Sequence, residues 1–191
     1  MLKRDELSTL TLEAKQKLIT NAVEKAISKL LKRDLDLLAI GAHEQAICHR
    51  LAVYLEEHTD LNVDCEYNRK DVDPKKLANE ELFRPDILIH KRLDVKFNLF
   101  ALEAKSSSNT TLPRGKTDRE KILELVGKGA FNYCLGALFH IHNKKTDILP
   151  SGILRIKLTW FDCSGKVLDG APIEKSLDED LLKHVHKRKR V

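Results

Sequence analysis

Two apolar, β-prone segments joined by a short polar stretch limit the fold of this chain more than any other feature. The segments read RPDILIHKR and LFALEAK, and LDVKFN lies between them. β-rich runs with a short polar connection predict a β-hairpin. With its turn between Asp94 and Val95, this hairpin pairs Asp86 with Glu103, because the two residues lie at equal distances from the turn.

Three charged side chains, those of Asp86, Glu103 and Lys105, converge at the open end of the predicted hairpin. Directly opposed residues have Cβ atoms about 5 Å apart, and Glu103 and Lys105 point to one side of the sheet because they are two residues apart. Charges among apolar residues are costly unless they are paired or bind a metal. One interpretation is a salt bridge between Lys105 and Asp86. The other is a site for Mg²⁺ or Mn²⁺, which bind carboxylates and retain waters. In that site Lys105 would position or deprotonate a metal-bound water, or neutralise the negative charge that develops on phosphate.

A helix predicted over residues 41–58 carries an acid on its apolar face. The apolar stripe of this helix consists of Ile47, Cys48, Leu51 and Leu55. At 100° per residue, Glu44 lies in the middle of that stripe, and a carboxylate facing the core needs a partner. The alternatives are a lysine or arginine, solvent at an exposed helix start, or the same metal site.

Hydrophobic periodicity predicts that the rest of the chain alternates between helices and strands. Helices are expected over 11–33 with Thr11 as N-cap, from Thr117 or Asp118 to about Tyr133, and over 176–189 with Ser176 as cap. Strands are expected over 61–69, 134–142 and ILRIKLTWF, with loops at 70–82 and 106–117. This order predicts a mixed α/β sheet flanked by helices.

Length and composition favour a single domain and exclude several classes of protein. The chain has 191 residues, of which 42% are hydrophobic and 33% charged, which excludes a low-complexity disordered chain. It has neither an apolar run near the ~18 residues of a membrane span nor an apolar signal core, so a cytoplasmic protein without a membrane partner is expected. The four cysteines form no C-x-x-C zinc pattern. The net charge is +5, and the basic tail over 183–191 accounts for all of it. This tail either binds a polyanion or is a solvated helix end.

The arrangement of these residues resembles the PD-(D/E)xK nuclease superfamily, which has the restriction-endonuclease-like fold. The motif reads Pro85-Asp86, sixteen residues, then Glu103-Ala104-Lys105, and the helix HEQAICHRLAVYLEEH precedes the first strand. The resemblance covers residues 41 to about 142. It implies a mixed β-sheet core flanked by helices, with an N-terminal helical extension over 1–40 and further strands, a helix and the basic tail over 143–191.

The resemblance also implies a chemistry and a set of site residues. Asp86 and Glu103 would hold Mg²⁺ or Mn²⁺, Glu44 would complete the metal site, and Lys105 would serve the attacking water. The substrate would be a nucleic-acid phosphodiester, with DNA expected. One departure is Gly129, which stands four residues before Tyr133 where some branches carry glutamine.

Other residues are candidates for contacting nucleic acid; the alternative is solvated surface charge for Lys121 and Lys128, and a loop without this role for Ser106. These residues are Arg69, Arg84, Ser106, Lys121 and Lys128. Tyr67, Asn68 and Arg69 end the first predicted strand, and their function is open. The predicted function is a metal-dependent nuclease, and the alternative is a catalytically silent binding or regulatory module. Helix 11–33 is either a homodimer contact or buried against the core.

Overall fold

The computed structural model describes residues 1–70, 73–76, 82–106, 117–126 and 131–187. Within these ranges the helices are α1 (Arg4–Leu7), α2 (Leu12–Arg33), α3 (Leu35–Ala39), α4 (Glu44–Glu56), α5 (Asp118–Val126), α6 (Lys145–Ile148) and α7 (Glu179–Lys187). The strands are β1 (Asn62–Cys65), β2 (Arg69–Lys70), β3 (Asp73–Pro74), β4 (Ile87–His90), β5 (Phe100–Ser106), β6 (Leu135–His142), β7 (Ile153–Asp162), β8 (Val167–Asp169) and β9 (Ile173–Ser176).

Seven of these strands form one mixed sheet, which confirms the predicted α/β class. The order is β1-β4-β5-β6-β7-β8, and β9 also pairs with β7. β5 and β6 run parallel, whereas the other neighbouring pairs are antiparallel. β9 pairs with β7 over Ile153–Ile156 and β8 pairs with it over Thr159–Phe161. The long strand β7 therefore has one partner on one side and two short partners on the other.

The hairpin of β4 and β5 has the predicted register. Ile87 lies opposite Leu102 and Leu88 opposite Ala101, so the next pair outward is Asp86 and Glu103. The connection over 91–99 is longer than the six polar residues expected, because it contains a 3₁₀ turn at Val95–Phe97. Asp94 caps this turn by accepting a hydrogen bond of 3.2 Å from the Lys96 amide.

The sheet is covered on both faces, and alternate residues of β5 face the two layers. Phe100, Leu102 and Ala104 belong to the larger apolar cluster, which also contains buried residues of α2, α3 and α4. Ala101 belongs to a second cluster, which contains the buried residues of α5. Because side chains alternate along a strand, Glu103 and Lys105 share the α5 face with Ala101.

Helix α2 corresponds closely to the predicted helix 11–33. The Thr11 hydroxyl caps it by accepting a hydrogen bond of 3.3 Å from the Ala14 amide. Its apolar stripe, which includes Ile19, Val23 and Ile27, is buried in the larger cluster. This stripe therefore packs against the body of the protein, which is the second of the two alternatives for this helix. Among the described helices, none combines the length and apolarity required to cross a membrane.

Helix α5 lies very close to the sheet because β6 has a glycine beneath it. A Cβ at Gly136 would come within 2.6 Å of Ile122 Cγ2 and 2.8 Å of Val126 Cγ1. Contacts this short do not occur between real carbon atoms, so a side chain at position 136 would displace α5. The glycine thus fixes the height of this helix above β5 and β6.

Several predicted boundaries differ from the structure. The helix expected over 176–189 begins at Glu179, and the Asp178 carboxylate caps it by accepting from the Leu181 amide at 2.9 Å. Ser176 instead ends β9, so its prediction as a helix cap is wrong. The helix expected to reach Tyr133 is described only over Asp118–Val126. The short strands β8 and β9 were not predicted, since three or four residues carry little alternation.

Candidate active site

Asp86 lies immediately before β4, where its side chain takes part in the sheet. Its Oδ2 atom accepts a hydrogen bond of 2.7 Å from the backbone amide of Ala104 on β5. Burial raises the pKa of Asp86 to about 6; the Ala104 bond opposes this rise, whereas the nearby negative charges of Glu44 and Asp118 add to it. The Asp86 carboxylate is therefore fixed in direction and poised to change protonation near neutral pH.

Glu103 is the most buried charge of the candidate site. It is 7% exposed, and its Oε1 atom has no hydrogen-bond partner in the part of the chain that the structure describes. Burial raises the pKa of Glu103 well above its usual range, and the charges of Asp86 and Asp118 raise it further, while Lys121 opposes them. A buried carboxylate oxygen without a hydrogen-bond donor destabilises the fold. A bound cation would stabilise it.

Lys105 forms an ion pair that the sequence did not predict. Its Nζ atom lies 3.4 Å from Oδ2 of Asp118, the first residue of α5, and Nζ of Lys121 lies 3.6 Å from the other oxygen of Asp118. The described ion pair of Lys105 is thus to Asp118 and not to Asp86. Asp118 was predicted only as a helix cap, although its spacing of three from Lys121 suggests an ion pair within α5.

Glu44 begins α4 and reaches the end of β5. Its Oε1 atom accepts a hydrogen bond of 2.7 Å from the backbone amide of Ser106, and its charge is one cause of the raised pKa of Asp86. The partner of Glu44 is therefore a backbone amide, which was not among the alternatives considered. The predicted stripe beneath it, Ile47, Cys48, Leu51 and Leu55, is buried.

A cleft of about 230 Å³ opens beside Asp86, and Gln45, Cys48, Cys65 and Glu66 line the rest of it. Gln45 donates a hydrogen bond to Glu66 across this cleft. Burial raises the pKa of Cys65 to about 11, with the charge of Asp86 as the next cause. Of these two cysteines, Cys48 is buried and Cys65 is exposed.

The candidate nucleic-acid contacts lie in different surroundings. Arg69 and Arg84 are exposed, and Arg84 lies 4.0 Å from Glu66. Ser106 is 1% exposed and its hydroxyl donates a 2.6 Å hydrogen bond to Asn143, so it is not at the surface. Lys121 lies over the ring of Phe83 at 5.6 Å. The last of the candidate nucleic-acid contacts, Lys128, lies outside the described residues.

The structure also bears on the predicted metal site. In the described ranges, no group of three or more His, Cys, Asp or Glu side chains is arranged to hold a metal. Glu44, Asp86 and Glu103 stay a predicted ligand set, in which Glu44 also accepts a hydrogen bond from the Ser106 amide. Asp86 and Glu103 still provide two oxygen donors, and Mg²⁺ is commonly held by one or two carboxylates together with waters.

Comparisons with known proteins give this chain no family. No family model matches it, and no curated protein and no solved structure matches it at a significant level. Its candidate chemistry therefore depends on the arrangement of its own residues.

Proposed function

We propose that this protein is a metal-dependent nuclease that hydrolyses phosphodiester bonds, with DNA as the expected substrate. The observation that carries the proposal is the pair of Asp86 and Glu103, opposed at the open end of the β4–β5 hairpin. Glu103 has a buried oxygen without a hydrogen-bond donor in the described part of the chain. A divalent cation at that oxygen would offset a charge whose burial is otherwise unfavourable.

The order of elements also supports a restriction-endonuclease-like core. Along the chain, α4 is followed by β1, β4 and β5, then by α5 and β6, which is the order that the motif resemblance implies. The small β2–β3 pair is inserted between β1 and β4. This order brings Asp86, Glu103 and Lys105 to one end of adjacent strands.

The acids favour catalysis over simple binding of nucleic acid. Clustered carboxylates repel phosphate, so a protein that only binds the strand gains nothing from burying Asp86 beside Glu103. Bound Mg²⁺ or Mn²⁺ would supply positive charge to the phosphoryl group and make a water more acidic. The Ala104 amide orients Asp86, and Lys105 and Lys121 bring two ammonium groups to the same end of α5. These cations suit the negative charge that develops on phosphate.

The proposal is tested by incubating labelled single- and double-stranded DNA and RNA with the protein in Mg²⁺, Mn²⁺ or EDTA. Metal-dependent cleavage is expected, and Asp86→Asn, Glu103→Gln and Lys105→Ala should each abolish it. The matched controls are Asp36→Asn on α3 and Lys96→Ala in the 91–99 connection, both at exposed positions, and these should retain activity. Cleavage by Asp86→Asn at the wild-type rate would refute the assignment.

Calorimetric titration with Mn²⁺ distinguishes the nuclease from a catalytically silent module. A nuclease should bind the ion, and Asp86→Asn or Glu103→Gln should weaken binding strongly, whereas Lys105→Ala should leave it intact. Absence of any binding heat, together with intact nucleic-acid binding, would instead assign the chain to the silent module.

A further inference from the structure

A second buried charge lies at the other end of β4, away from the candidate active site. Lys75 is 2% exposed, and its Nζ atom lies 4.9 Å from the ring centroid of Tyr67. The same atom is 3.4 Å from the Tyr133 hydroxyl. The backbone holds this lysine in place, because its amide donates to Asn68 at 2.6 Å and its carbonyl accepts from Phe83 at 3.1 Å. Lys75 is therefore directed inward by the fold.

Within the described ranges, no carboxylate balances the charge of the Lys75 ammonium. Among the described residues its polar neighbours are the Tyr67 carbonyl and the Tyr133 hydroxyl, and no carboxylate pairs with it. Asp64 is the nearby acid, but it already binds His90 at 2.9 Å and also Arg92. Burial accordingly lowers the pKa of Lys75 to about 8, and the charge of Asp64 opposes that change. A buried lysine normally has a counter-charge, and an external anion would supply the one that the described residues lack.

The pocket beside Lys75 has the size and charge to admit one atom of an anion. Its lining includes the cations Arg69, Lys75 and Lys91 together with one acid, Asp94, whose carboxylate lies 3.2 Å from the Lys91 ammonium. Its volume of about 10 Å³ is the space of roughly one water molecule. The pocket can therefore take a single oxygen, while the rest of the anion stays at the mouth beside Arg69, which is exposed.

We propose that this pocket is a binding site for a phosphoryl group, with one oxygen directed at Lys75 and the others at Arg69 and Lys91. That the phosphate belongs to a nucleic-acid strand depends on the proposed nuclease function. Asp86 and His90 are four residues apart and lie on the same face of β4, so the pocket is about 13 Å from Asp86. The pocket would hold the strand at a distance from the bond that is cut.

The phosphate site can be tested without any nuclease activity. Melting temperatures are measured in EDTA at pH 7, with sodium phosphate against sodium chloride at equal ionic strength. At ten times its Kd, phosphate should raise the wild-type Tm by about 3–6 °C. Lys75→Met should remove this gain and Lys96→Met should keep it. An equal gain in wild type and Lys75→Met, or no gain in wild type at 50 mM phosphate, would overturn the site.

A surface variant keeps the test valid if Lys75→Met fails to fold. Arg69→Ala changes an exposed residue at the mouth of the pocket, so its fold should be preserved. It should weaken the phosphate effect at least threefold in apparent Kd. An unchanged Kd in this variant would likewise contradict the proposal.

The source of the phosphate is decided by a 12-nucleotide single-stranded DNA in EDTA, where no cleavage occurs. If the strand occupies the pocket, Lys75→Met should weaken its binding about tenfold and reduce the salt slope by about 0.7. Unchanged affinity for the oligonucleotide, with the phosphate effect still lost, would overturn the strand as the source. If the wild type binds no strand in EDTA, the strand is overturned as the source, the phosphate measurement still decides the pocket, and the cleavage assay separately decides the nuclease function.

Discussion

The ammonium of Lys105 on β5 lies 3.4 Å from the carboxylate of Asp118 at the start of α5. This ion pair joins the strand that carries Glu103 to the helix that covers it. Asp118 is also a source of negative charge for the acid pair, since it adds to the pKa rise that burial causes at both Asp86 and Glu103. The charge of Asp118 therefore acts on all three predicted hairpin residues, Asp86, Glu103 and Lys105.

Replacing Asp118 should alter the titration of the acids without touching them. In Asp118→Asn, burial still raises the pKa of Asp86, but one nearby negative charge is gone. We expect the pKa of Asp86 to fall below about 6, measured by carbon NMR of its carboxyl in metal-free protein. Asp36→Asn, on an exposed part of α3, is the control and should leave this pKa unchanged. If Asp118→Asn also leaves it unchanged, the charge of Asp118 does not reach the site.

The stability of the metal-free protein should depend on the charge of Asp86. Burial raises the pKa of Asp86 to about 6, so the folded state binds a proton that the unfolded state has already lost, and stability decreases as pH rises from about 4 to above 6. Asp86→Asn removes this loss and keeps an oxygen for the Ala104 amide. Urea unfolding in EDTA should show a stability gain from the substitution that is about 2 kcal/mol larger at pH 7.5 than at pH 4.5. A gain independent of pH would contradict the shifted pKa.

Two substitutions at Glu44 separate its charge from its hydrogen bond. Glu44→Gln keeps an acceptor for the Ser106 amide but removes negative charge near Asp86, so the metal-free protein should be as stable as wild type or more stable. Glu44→Ala leaves the buried Ser106 amide without its acceptor, which costs about 1–3 kcal/mol. Thermal melts of both variants make the comparison. A loss of about 3–5 kcal/mol in Glu44→Gln would instead indicate a broken buried ion pair.

The height of α5 above the sheet can be tested at Gly136. A Cβ at this position would meet Ile122 at 2.6 Å and Val126 at 2.8 Å, so Gly136→Ala should destabilise the protein by about 1–3 kcal/mol. Because the displaced helix carries Asp118, cleavage should slow as well. Ile122→Ala removes Cγ2, the nearer of the two clashing atoms, so urea unfolding should show that Gly136→Ala costs less in an Ile122→Ala background than in wild type. Additive losses in the double variant would show that the two side chains do not clash.

The pairing of Asp86 with Glu103 was predictable because it depends on a local rule. Strand side chains alternate, and a hairpin pairs residues at equal distances from its turn. The observed register, with Ile87 opposite Leu102, follows from these rules even though the connection differs from the prediction. Helix α2 was predictable for a similar reason, since its apolar stripe and its Thr11 cap lie within one continuous segment.

The partners of Glu44, Lys105 and Lys75 were not predictable because they come from distant parts of the chain. The Ser106 amide is 62 positions from Glu44, and the Tyr133 hydroxyl is 58 positions from Lys75. Such contacts depend on how α4 and the inserted segment pack against the sheet. Helical geometry showed that Glu44 needs a partner, but it contains no information about which distant group meets it.

At one edge of the sheet, the two short strands β8 and β9 pair with the same side of β7, and this arrangement affects how the protein behaves at high concentration. A ten-residue strand such as β7, with one side unpaired, would offer a long template for the backbone of another molecule. β8 and β9 cover it in two short pieces, and the opposite edge, β1, has only four residues. Short edges give an incoming strand few hydrogen bonds. We therefore expect the folded chain to resist intermolecular strand pairing and to start fibrils only after β7 is uncovered.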